Sequence, residues 1–163
     1  MSIRVYLWLK TVFVSLILSQ LTLFAQTLKL APAAGSPGQQ VSVNISLTSP
    51  RGQEPPSTLQ WDLTIPAGQL ALVDDNPQPG PEAKAAGKSI TCRAKTRETY
   101  TCLVYGGREP IHDGVIAILQ LRIAPEAKPG SARIRTDQAL AVTKDLKRTP
   151  MPAAESVVTI RRK

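Results

Sequence analysis

Hydrophobic and polar positions alternate with a period of two along much of this chain. From Val41 to Leu47, Val41, Val43, Ile45 and Leu47 share one face, and Ser42, Asn44 and Ser46 share the other. The pattern recurs from Leu59 to Ile65. Leu59, Trp61, Leu63 and Ile65 alternate there with Gln60, Asp62 and Thr64. Successive side chains of a β-strand point to opposite faces, so both stretches read as strands with one buried side. After the turn dipeptide Asp113-Gly114, Val115 to Ile123 gives a third strand. Val115, Ala117, Leu119 and Leu121 lie on one face, and Ile116, Ile118, Gln120 and Arg122 on the other. That second face starts apolar and ends polar, as in a strand that is covered at one end and solvated at the other.

Shorter apolar runs at Leu28–Leu30, Leu70–Val73, Ala132–Ile134, Ala139–Val142 and Val157–Ile160 read as further strands. Turn-rich stretches separate them: Pro32–Gly38, Ser49–Ser57, Asp74–Gly87, Gly106–Pro110, and a polar loop holding Pro150 and Pro152. Only Glu82–Ala86 suggests helix, and then a single turn. About nine short strands with frequent turns predict an all-β, antiparallel sandwich.

The stretch Ser89–Tyr105 holds both cysteines. Two alternating runs flank the polar tip Lys95-Thr96-Arg97-Glu98. If that tip closes a hairpin, Ile90 faces Val104, Cys92 faces Cys102 and Ala94 faces Tyr100. Both sulfurs then lie on one face, on directly opposed Cβ atoms that a disulfide can bridge. A metal site would need two further ligands, which the single histidine, His112, supplies poorly. The reading is a structural disulfide Cys92–Cys102, with no metal and no cofactor.

The N-terminus has the marks of an export signal. Arg4 and Lys10 are a basic n-region, Thr11–Leu23 is mostly apolar, and Ala25 is a small residue at a plausible cleavage site. The apolar run is shorter than the roughly 20 residues that span a bilayer, which argues against a permanent anchor. Residues 1–25 are therefore expected to be removed, leaving 26–163 as one domain in a secreted or periplasmic location. Removal takes away Arg4 and Lys10 and no acid, so the formal charge falls from +8 to +6. The bases are scattered singly or in pairs, which describes a solvated basic surface rather than a nucleic-acid site. No membrane contact is expected once the signal is gone.

Catalysis finds little support. His112 stands beside a turn without a nucleophile motif, and Asp74-Asp75 are adjacent loop carboxylates rather than a pair set across a cleft. The chain reads as a non-enzyme. A sugar platform would want several exposed rings; beyond residue 25 the aromatics are Trp61, Tyr100 and Tyr105, and Trp61 shares its face with core residues.

With its strands placed, the chain resembles a cohesin-type domain, the partner module of dockerins. The resemblance runs from about Leu28 to Ile160. It rests on Gly38–Ile45 (GQQVSVNI), Leu59–Ile65 (LQWDLTI), Asp113–Leu121 (DGVIAILQL) and Lys128–Ile134 (KPGSARI), in that order. It implies a nine-stranded sandwich of jelly-roll type and a non-catalytic role in binding a dockerin-like or other secreted partner. The alternative is a carbohydrate-binding accessory domain that contacts polysaccharide. In cohesins, polar side chains on the outward face of the third strand help hold the dockerin; Gln60 and Asp62 occupy the matching places. The sequence departs from the family at Ile65-Pro66, where that strand usually ends Tyr-Asp-Pro.

Overall fold

In the computed structural model, residues 25–73 and 77–162 are described. The expected signal segment, apart from Ala25, lies outside the described residues, as do Asp74 and Asp75.

Two sheets face each other. The first holds β1 (Thr27–Leu30), β3 (Gln40–Thr48), β9 (Gly114–Ile123) and β5 (Leu70–Leu72), with β6 (Gln78–Pro79) also paired to β9. The second is ordered β2 (Ala33–Gly35), β12 (Ala154–Ile160), β10 (Gly130–Val142), β4 (Thr58–Thr64), β8 (Thr99–Tyr105), β7 (Ser89–Ala94), and β11 (Arg148–Pro150) pairs with the far half of β10. All pairings are antiparallel except β2 with β12. The fold is the expected all-β sandwich.

The alternation in the sequence becomes the core. Val43, Ile45 and Leu47 of β3 and Leu119 and Leu121 of β9 are buried from one side, and Leu59, Trp61 and Leu63 of β4 from the other. Pairing of β7 with β8 places Ile90 opposite Val104, Cys92 opposite Cys102 and Ala94 opposite Tyr100, as the sequence predicts. The Cys92–Cys102 disulfide is formed and points into the core, with Cys102 fully buried.

Three strands escape the sequence reading because they are too short to show a period. Ala33–Gly35 lies within an expected turn yet pairs in parallel with Val158–Ile160, where a side chain at Gly35 would collide with Val41. Gln78–Pro79 and Arg148–Pro150 are likewise two- and three-residue edges. Two expected strands, Ala132–Ile134 and Ala139–Val142, are instead the halves of one, β10, joined at a bulge between Asp137 and Leu140. Gln138 takes up the extra residue with φ of 48°, in the left-handed region.

Among the described residues one helix forms, α1 (Pro81–Ala85), beside the start of β9, where a register shift between Val115 and Ala117 takes Ile116 out of the alternation. The helix packs on β9, Ala83 and Ile116 are both fully buried, and the approach is so close that a Cβ on Gly80 would strike the Val115 carbonyl. Glycine is required there by contact rather than by turn geometry.

Candidate functional site

The strand β4 lies inside the seven-stranded sheet, between β10 and β8, so its outward side chains stand in the middle of a broad face. The structure treats Gln60 and Asp62 differently. Gln60 is exposed, flanked by Leu103 on β8 and Leu140 on β10. Asp62 points outward as the pleat requires, yet only 8% of it is accessible. Alternation predicts solvent at Asp62, but two neighbours cover it. Thr101 Oγ1 donates to Asp62 Oδ1 at 2.7 Å, and Lys95 Nζ donates to Oδ2 at 2.9 Å. Thr101 is its cross-strand partner on β8; Lys95 reaches over from the hairpin tip. Both carboxylate oxygens are therefore engaged within the chain.

Burial raises the Asp62 pKa, but the hydrogen bonds from Thr101 and Lys95 and the charge of Lys95 outweigh it, so the net shift is downward from 3.8. A depressed carboxylate pKa adds stability that is complete above the ordinary value and is lost as pH falls through the folded value. Asp62→Asn should therefore lower the melting temperature at neutral pH. That difference should shrink as the pH is taken from about 5 towards about 2. Asp62→Ala should cost about 1–2 kcal/mol, since it strands the Thr101 hydroxyl. Thermal melts across that pH range check both; a pH-independent difference would contradict the ion pair.

Around β4 the face divides by chemistry. Towards the end where β4 runs out, Arg135 binds Asp137 and Glu155, and Arg133 also reaches Glu155, so the charges there satisfy one another. Towards the start of β4 the face is apolar. Gln60 sits between Leu103 and Leu140, Thr58 is paired with Val142, and Tyr105 continues the outward row of β8. Tyr105 (43% accessible) and Leu146 (79%) are the exposed large hydrophobic residues among the described ones, and both are at this end.

Two turns frame that end. In the β10–β11 turn, Leu146 has φ of 63°, and its N–H donates to the Thr143 carbonyl. In the loop after β8, Gly106 and Gly107 both have positive φ, and a Cβ on Gly107 would collide with the Ala86 carbonyl. Buried Lys88 fixes this loop: its Nζ donates to the Gly106 carbonyl at 2.6 Å. Burial lowers the Lys88 pKa, opposed by Glu109. Between the turns lies a cleft of about 370 Å³, lined by Thr58, Arg108, Val142, Thr143, Lys144 and Leu146.

Elsewhere the chemistry is sparse. His112 is exposed beside Asp113, whose carboxylate accepts from the Ser49 N–H at 3.0 Å. Among the described residues no group of His, Cys, Asp and Glu could hold a metal ion. Sequence reasoning found Gln60 by alternation. It missed the cover over Asp62 because Lys95 comes from outside the strand, and it missed Leu146 because a lone leucine in a polar loop carries no periodic signal.

No family model matches the sequence, and comparison with curated protein sequences finds no match. Solved structures do match, and those described here are cohesins. The sixth cohesin of scaffoldin B from Acetivibrio cellulolyticus, solved with a Cel5 dockerin, is 18% identical; the match covers 84% of this chain and 99% of that one, with a TM-score of 0.72. A cohesin module from a family 33 glycoside hydrolase of Clostridium perfringens is 10% identical over 86% and 99%, also at 0.72. A non-cellulosomal cohesin from the archaeon Archaeoglobus fulgidus is 11% identical over 84% and 91%, at 0.66. The fold of this chain is the cohesin-type fold.

Proposed function

We propose that the chain is a non-catalytic protein–protein interaction module whose partner, a dockerin-like or other secreted protein, docks on the outer face of the seven-stranded sheet. The observation that carries this reading is the centre of that face. Gln60 is exposed on an interior strand that is paired on both sides, among half-buried Leu103, Leu140 and Val142. A rigid sheet presents such groups without an ordering cost on binding. The likeness in fold to cohesins solved with dockerins supports the class of partner. A carbohydrate platform is less well served, because Trp61 is buried and Tyr105 is the exposed ring among the described residues.

Asp62 contributes through Lys95. A partner either meets the Lys95–Asp62 pair as it stands or displaces the ammonium and takes its place. Export is supported by the N-terminal pattern and by the cystine, which persists in an oxidising compartment. Intact mass of the exported protein should correspond to a start within a residue or two of Gln26 with one disulfide formed, and retention of Met1 would contradict it.

The binding reading is tested by capture of secreted proteins from the native host on immobilised residues 26–163, followed by calorimetry with the captured partner. Gln60→Ala with Asp62→Ala should weaken binding by about 1–3 kcal/mol. Unchanged affinity with the fold intact would move the surface elsewhere.

A further inference from the structure

We propose that the apolar end of this face is the anchor of the interface, and that it takes a partner segment presenting apolar side chains flanked by carboxylates. The inference rests on the reading of the sheet face as the docking surface and specifies what that surface recognises. Three independent features meet there. The first is apolar exposure: Tyr105 and Leu146 lie at the same end of the sheet, with half-buried Val142 beside Thr58 and half-buried Leu103 and Leu140 flanking Gln60 one row further in. Exposed apolar groups gathered in one place, rather than scattered singly, mark an interaction site.

The second feature is backbone strain. Leu146 holds a left-handed conformation that glycine or asparagine adopts more readily, and it spends that conformation on an almost fully solvated leucine. The turn needs a left-handed residue to close, but the leucine side chain itself gains no burial there, since Leu146 is outside the core. Glycine would close the same turn at less cost, so the leucine counts here for the apolar surface that it holds out.

The third is charge. The loops 106–109 and 143–148 carry four bases, Arg108, Lys144, Lys147 and Arg148, against two acids, Glu109 and Asp145. No salt bridge among the described residues occupies Arg108, Lys144 or Arg148, whereas the arginines at the opposite end of the face are paired with Asp137 and Glu155. Arg108 and Lys144 stand on the two sides of the cleft, and Val142 and Thr143 line it between them. Thr143 is 7% accessible and its hydroxyl has no hydrogen-bond partner. The apolar patch is thus rimmed by unpaired cations, the arrangement that selects an acidic partner and repels a second copy of this basic chain.

The fixed geometry suits an anchor. Lys88 pins the loop that carries Arg108, and the β10–β11 hairpin carries Lys144 and Leu146 on a turn closed by two backbone hydrogen bonds, Thr143 to Lys147 and Leu146 to Thr143.

The test is site-specific photo-crosslinking with p-benzoylphenylalanine placed at position 146 in one preparation and at position 60 in another, in the exported full-length protein of the native host. Cross-linked peptides from position 146 should come from a protein partner and carry apolar residues within a net-negative segment. Peptides that are net basic, or that come from a second copy of this chain, overturn the proposal. So does an absence of protein cross-links at position 146 while position 60 captures a partner, an outcome that leaves the docking face itself standing. Capture at neither position overturns both readings.

Two variants then separate recognition from folding. Lys144→Glu with Arg148→Glu should weaken binding to the captured partner by about ten-fold and flatten its salt dependence, because rim charges act through steering and screening. Leu146→Asn relieves the strain, so its melting temperature should hold or rise while affinity falls by about ten-fold or more. A Leu146→Asn protein that binds as well as the parent overturns the anchor.

Discussion

Trp61→Ala should destabilise the protein by about 3–5 kcal/mol, the largest single-residue effect expected in the chain. Trp61 is the largest of the fully buried side chains and stands on β4, an interior strand of its sheet. Truncation removes its apolar burial and leaves a cavity in the core between the two sheets. Its indole Nε1 is buried without a partner, so Trp61→Phe should cost less than volume alone suggests, because it deletes an unsatisfied donor along with part of the ring. Denaturant unfolding followed by far-ultraviolet circular dichroism measures both variants. Native emission should be blue-shifted, since Trp61 is the one tryptophan beyond residue 25. A red-shifted spectrum, with an alanine variant as stable as the parent, would place Trp61 at the surface.

Loss of the cystine should cost about 2–3 kcal/mol, from the chain entropy that a small closed loop withholds from the unfolded state. Cys92 and Cys102 are ten residues apart and bridge directly opposed positions of β7 and β8. Because β7 is an edge strand, its attachment rests on β8 and on this bond. The double variant Cys92→Ala with Cys102→Ala should unfold earlier in denaturant. It should also lose part of the acid-sensitive stability of Asp62, since Lys95 follows directly after β7. Equal midpoints for oxidised and cysteine-free protein would show that the bridge contributes nothing to the fold.

The sequence was informative where period and chemistry coincide. Val43, Ile45 and Leu47 of β3 and Leu59, Trp61 and Leu63 of β4 alternate because each strand buries one face, so core and fold class follow from the pattern. The hairpin register followed from the polar tip Lys95–Glu98, and the even spacing of the cysteines put both sulfurs on one face. The pattern failed where a residue's surroundings come from elsewhere in the chain. Ile116 stands at a register shift in β9 and is fully buried, and Asp62 lies on the outer side of β4 but is covered by Lys95. The parallel edge Ala33–Gly35 read as a turn because Gly35 and the neighbouring prolines signal one locally, while the pairing partner is more than a hundred residues away. The bulge at Gln138 joined two predicted strands into one, since an inserted residue breaks the period without ending the strand.

Gln60 survives as a candidate contact because its place in the sheet is exposed. Asp62 changes character: it enters any interface as half of an ion pair. The apolar and basic end near Leu146 had no periodic signal, because its members come from two separate loops and the strands between them.

The central claim is that the partner meets the outer face of the seven-stranded sheet. Nuclear magnetic resonance of the isotopically labelled protein, residues 26–163, titrated with the captured partner, decides it directly. The account predicts that amide and methyl shifts move at Gln60, Leu103, Leu140, Val142 and Leu146, while Ser42, Asn44 and Gln120, on the outer face of the other sheet, stay in place. Shifts confined to Ser42, Asn44 and Gln120 would contradict it.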